Sequence, residues 1–197
     1  MIYDYALLDL RPGPASRAAA LGALADAARA KGDVLLGAFT AQLGWRNTQI
    51  AALTRRAAAP ANQGDAATRG TPRSGASPAP ALLHEHIVSR EDHELTATLR
   101  PRADEALRPH GIYVHRWFEV DAGAVAEFIG LSGEAWPDFE ASFDVHIYGL
   151  FLATTPAPPT HDARRRLLLL THYSSHDVWE RSRDPSTTAM KTFARTA

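Results

Sequence analysis

The chain has 197 residues, 45% of them hydrophobic and 22% charged, with a formal net charge of −1 at pH 7 and no cysteine. That length and apolar content bury a core as one large domain or two small ones, and the balanced charge gives no global attraction for nucleic acid or an anionic membrane. The missing thiols exclude disulfides, thiolate zinc sites and a cysteine nucleophile.

The start, Met-Ile-Tyr-Asp-Tyr, lacks the basic and apolar regions of a secretory signal. No apolar run approaches the roughly 18 residues of a membrane span. The expectation is a cytoplasmic protein with neither a membrane span nor a nucleic-acid partner. Ile2–Leu10 has strand composition and ends at Arg11-Pro12-Gly13, a turn signal. Ser16 is placed to cap an Ala-rich helix over Arg17–Ala30, which Lys31-Gly32 stops. Val34–Leu43 returns to strand character with Gly37 marking a bulge or close approach, and Thr48–Thr54 is its hairpin partner. Ala57–Pro80 is mostly Ala, Pro, Gly, Ser and Thr; it cannot repay its ordering entropy and reads as a mobile loop. Leu82–Ser89 is a short helix candidate. Glu94–Leu99 is a strand that would close a first unit of residues 1–108.

Residues 109–197 then repeat the order. Ile112–Gly123 (I-Y-V-H-R-W-F-E-V-D-A-G) matches Ile2–Gly13 (I-Y-D-Y-A-L-L-D-L-R-P-G) without a gap, as expected of two related units. Val125–Leu131 suits a helix that Trp136-Pro137 interrupts, Pro137 starting a fresh turn. Asp144–Thr154 is a strand whose Gly149-Leu150-Phe151 matches Gly37-Ala38-Phe39. Arg166–Tyr173 is a buried strand after the Pro-rich turn Pro156–Thr160, Ser174–Arg183 is a helix, and Thr187–Arg195 is a second one. A closing strand equivalent to Glu94–Leu99 has no counterpart.

These features resemble the NIPSNAP family. The residues that carry the likeness are Ile2-Tyr3 with Leu10-Arg11-Pro12-Gly13, Tyr113-x-His115-Arg116-Trp117-Phe118-Glu119-Val120, Trp136-Pro137-x-Phe139-Glu140, Gly149-Leu150-Phe151 and the Trp179 helix. The resemblance implies an α+β fold of tandem ferredoxin-like units forming a dimeric α+β barrel. In such barrels one sheet face carries helices and the other encloses a cavity. The wider fold includes cofactor-free monooxygenases, haem-dependent enzymes and small-ligand binders, so fold alone does not supply function. Two departures stand out: Arg55–Pro60 replaces an aromatic-led helix, and the last strand is lost.

Strand parity nominates the site. Ile112, Val114, Phe118 and Val120 would pack under helices, leaving Tyr113, His115, Trp117 and Glu119 on the open face, matched by Tyr3, Tyr5, Leu7 and Asp9. His146 and Tyr148 share a face of the next strand, and His172 stands among leucines. The ligand-binding candidates are Tyr3, Tyr5, Tyr113, His115, Trp117, His146, Tyr148 and His172. Converging imidazoles hold a divalent metal, ligate haem or act as a base; equally, each histidine hydrogen-bonds inside a half-polar barrel. No metal and no cofactor is assigned. His84-Glu85-His86 and Arg164-Arg165-Arg166 read as solvated segments, and Ser174-Ser175-His176-Asp177 as a helix cap rather than a triad. Two functions remain open. One is a NIPSNAP-like binder, a homodimer holding a small apolar or aromatic ligand or a partner protein. The other is a cofactor-independent monooxygenase or isomerase on an aromatic or polyketide-like substrate, with His115 or His172 as base and Tyr113 or Tyr3 orienting a carbonyl.

Overall fold

A computed structural model describes residues 1–57, 85–102, 105–154, 164–184 and 186. The fold is α+β, and the chain divides into two compact units, Tyr3–Asp92 and His93–Ala197. The expected mobile loop over 57–80, the turn over 156–160 and the helix over 187–195 lie, Ala57 apart, outside the described residues. No described helix is long and apolar enough to cross a membrane.

The first unit opens with β1 (Ile2–Leu10), α1 (Pro14–Lys31), β2 (Val34–Thr40) and β3 (Gln49–Arg55). It ends in the first half of β4 (Ile87–Ala97). The strand order is β2-β3-β1-β4, with β3 antiparallel to both β1 and β2. Alternation sends Leu8 and Leu10 to one face, where they meet Ala20 and Ile50 with Leu21 and Leu24 against them. Tyr3, Tyr5 and Asp9 occupy the other face and are also buried.

Helix α1 begins three residues earlier than the sequence predicts. Pro14 takes the first helical position, where its missing N–H costs nothing, and Gly13 is the cap. Ser16 therefore does not cap; its hydroxyl meets His86 Nδ1 at 3.1 Å. The predicted stop holds, with Gly32 left-handed at φ 71°. The Leu82–Ser89 helix is corrected in its described part, because residues 87–89 open β4. Pairing in the sheet wins over short-range helix composition there.

The second unit contains the end of β4, then β5 (Ile112–Asp121), a 3₁₀ turn, α2 (Val125–Ser142), β6 (Val145–Ala153), β7 (Arg164–Tyr173) and α3 (His176–Ser182). Its strand order is β4-β6-β7-β5, antiparallel at each step. Ile147, Leu150 and Leu167 pack with Trp136, Phe128 and Phe139 of α2. Val145 and Tyr173 pack with Val178 and Trp179 of α3. The helix side of β5 is as predicted, since Val114, Phe118 and Val120 all face these helices.

Helix α2 runs unbroken through Pro137, against the expected interruption. An interior proline costs about 3 kcal/mol. Buried Trp136, with Phe128, Ile129 and Phe139 partly buried on the sheet beside it, offsets it, at about 2 kcal/mol for one fully buried side chain and less for each of the others. Helix α3 is capped by Ser175 rather than Ser174, its hydroxyl accepting from Val178 N at 3.3 Å. The hydrolase-like string is thus an N-cap.

Each unit carries one register irregularity. In β2 the register with β3 shifts between Leu35 and Gly37. In β6 the register with β7 shifts between Ile147 and Gly149. The two bulges fall just before the glycines that the sequence matches, and β1–β3 pairing is echoed by β5–β7.

Candidate functional site

The open face of the second unit is a set of rows fixed by register. Tyr113, His172 and His146 form the first, and His115, Leu170 and Gly149 the second. Trp117, Leu168, Phe151 and Ala97 form the third. The structure therefore brings Tyr113, His172 and His146 side by side and sets His115 one row away. Tyr148 sits in the bulge, its ring 6.3 Å from Phe151. Tyr3 and Tyr5 belong to the first unit. There the Tyr3 hydroxyl donates to Met1 Sδ at 2.9 Å, and burial, then the charge of Glu91, pushes the Tyr5 phenol above its ordinary range.

The face is concave and filled. His93 on β4 and Trp117 on β5 are separated by β6 and β7, about 14 Å in a flat sheet, yet their rings lie 4.7 Å apart. Arg166 stacks over the same indole at 4.6 Å. Between them Leu95, Phe151, Leu168 and Leu170 are fully buried. His115 is enclosed at Nε2, and burial pushes it down to about 3. Such a ring stays neutral and makes a poor general base near neutral pH.

The polar ends of the first row and of Tyr148 are directed at one short segment, residues 105–111. The Tyr113 hydroxyl donates to the Arg108 carbonyl at 3.0 Å, and Tyr148 donates to the Glu105 carbonyl at 3.2 Å. His146 Nε2 lies 2.7 Å from Glu105 Oε1. His172 Nε2 donates to the His110 carbonyl at 3.0 Å, which fixes its tautomer because a carbonyl only accepts. Its Nδ1 is enclosed and has no hydrogen-bond partner among the described residues. Burial holds His172 below the usual histidine range and raises Tyr113 to about 12.

Residues absent from the sequence reading of the site complete it. Glu140 on α2 accepts from Arg100 at 2.7 Å and from Ile147 N at 2.8 Å, and its Oε1 is 3.2 Å from His146 Nδ1. Burial alone would raise Glu140, but the bonds from Arg100 and the Ile147 amide outweigh it and hold the carboxylate low. His110 (φ 64°) and Gly111 (φ 73°) are both left-handed. A Cβ at 111 would meet the Tyr173 carbonyl and stand 2.6 Å from His172 Nε2. Which side chain Pro109-His110-Gly111 grips depends on β7, which no local pattern in these three residues records. Among the described residues no group of three or more His, Cys, Asp or Glu has the arrangement of a metal site. No protein-family model matches this sequence, and no curated protein matches it significantly.

Proposed function

We propose that this chain is a NIPSNAP-like binding protein, built of two ferredoxin-like units in a dimeric α+β barrel, that holds a small ligand with an apolar body and oxygen acceptors. The strand order of the first unit, β4-β1-β3-β2, and its echo in β5-β7-β6 with matched bulges support the ferredoxin-like reading. One observation carries the binding reading. Tyr113, Tyr148, His146 and His172 direct their ring nitrogens or hydroxyls to oxygens of residues 105–110, at the rim of a leucine-lined concavity. A ligand that takes the place of this segment must present oxygens to the same groups.

A second reading, a cofactor-independent monooxygenase or isomerase on an aromatic or polyketide-like substrate, draws on His172. Its Nε2 is oriented by the His110 carbonyl, which leaves Nδ1 as the atom that would accept a proton. His115, desolvated to about 3, is the weaker base. Native mass spectrometry of freshly isolated protein tests the proposal. The expected spectrum is a dimer carrying a small molecule that His172→Phe loses. Bare polypeptide in wild type would remove the binding reading.

A further inference from the structure

We infer that His172 Nδ1 is the acceptor of a hydroxyl subsite, so that the ligand of the open face carries a phenol or enol hydroxyl beside its carbonyl-type oxygens. This rests on the proposed function for the ligand itself, and adds the hydrogen that the ligand must bring.

His172 is 5% exposed, and its two ring nitrogens stand in opposite situations. Nε2 donates to the His110 carbonyl at 3.0 Å. A carbonyl only accepts, so Nε2 holds the one hydrogen of the neutral ring and Nδ1 is a bare acceptor. Burial holds the ring below the usual histidine range, which keeps that acceptor available at neutral pH. Nδ1 is enclosed and has no hydrogen-bond partner among the described residues. A buried acceptor without a donor carries its full desolvation penalty, and native interiors keep few of them unless a water, an ion or a ligand meets the atom.

The donors around the ring are already committed. Tyr113, its register partner on β5, has its ring 5.0 Å away and gives its hydroxyl hydrogen to the Arg108 carbonyl. Tyr148 gives its own to the Glu105 carbonyl. His146, the register partner on β6, has Nε2 on the Glu105 carboxylate. Turning the His172 ring over would only trade the His110 bond for another. Residues 105–110 thus meet the donors of this face with oxygens and bring no hydrogen to its bare acceptor. A ligand that takes the place of the segment and carries a hydroxyl answers both needs. Because Nδ1 is enclosed, the hydroxyl reaches it only as the segment gives way, the exchange that the proposed function already requires. An enclosed acceptor also favours the smallest donor, which is a hydroxyl.

Ring-nitrogen NMR of the full-length protein, titrated at neutral pH with three probes, tests the subsite. Para-hydroxyacetophenone carries an apolar ring, a carbonyl and one hydroxyl. Para-methoxyacetophenone and acetophenone keep the ring and the carbonyl but have no hydrogen to give. The hydroxyl probe is expected to bind about tenfold more tightly than either of the others, and to shift the His172 Nδ1 resonance as an accepted hydrogen bond does. His172→Gln reaches as far as Nε2 and keeps a donor there, with no acceptor at the Nδ1 position, so it should bind the three probes alike. His172→Asn places its carbonyl oxygen near the Nδ1 position and should keep the preference. Equal binding of the three probes by wild type would overturn the subsite and leave the binding function standing. An unmoved Nδ1 resonance with para-hydroxyacetophenone bound would do the same. Failure of all three to bind would overturn both. The wild-type comparison decides the matter should a variant not fold.

Discussion

Replacing Gly111 by alanine isolates the grip of the turn on His172. The backbone there is left-handed at φ 73°, which costs an alanine about 1 kcal/mol. The new Cβ would also overlap the Tyr173 carbonyl and sit 2.6 Å from His172 Nε2. Neither neighbour yields easily, because one is backbone of β7 and the other a ring fixed on the His110 carbonyl. The turn must move, and losing the bond between His110 and His172 costs a further 2 kcal/mol or about that. Gly111→Ala is therefore expected to lose about 3 kcal/mol in urea unfolding, read as a lower midpoint at unchanged slope. Gly22→Ala is the matched control. Nothing lies within 4 Å of a Cβ there, and the position is inside α1, so it should gain about 0.5–1 kcal/mol. A loss below about 1 kcal/mol for Gly111→Ala would refute the packing argument.

Three further outcomes follow from the same geometry. His115 has a folded value near 3 against about 6.5 unfolded. Above that range both states are neutral; as pH falls through it the unfolded chain takes the proton first, so stability drops by up to about 1.4 kcal/mol per pH unit. His115→Phe should flatten that acid-side slope in denaturation curves, and an unchanged slope would contradict the burial. Arg100→Ala leaves Glu140 without its main donor and should cost about 2 kcal/mol, discounted for partial exposure; thermal unfolding reads it. Strand β5 has a pairing strand on one side only among the described residues, and long uncovered edges associate. Light scattering is expected to return a dimer at micromolar concentration, and a monomer there would count against it.

Much of the scaffold was legible because periodicity and burial agree. Alternation in Ile112–Val120 separated a helix face from an open face, and both formed as read. Gly37 was read as a bulge or a close approach, and a register shift falls beside it and beside the matched Gly149. Pro137 misled, since a helix break is a local preference and the packing of Trp136 and Phe139 overrides it. The site was legible in its residue types and not in their partners. Tyr113, His146, Tyr148 and His172 were all nominated, yet what their polar atoms bond is set by a segment whose composition (Glu105, Arg108, His110) carries no periodic signal. His115 showed the opposite failure: a histidine on the predicted face is too deeply enclosed for the acid–base work its type invites.

The central claim, that the open-face side chains are committed to residues 105–110, is tested most directly by the tautomer of His172. Long-range nitrogen–proton NMR of the histidine rings reads it in the intact protein. The account predicts a neutral His172 with hydrogen on Nε2, where the His110 carbonyl accepts it, and a bare Nδ1. A ring protonated at Nδ1, or one exchanging between tautomers, would mean that the segment is not held and would contradict the account.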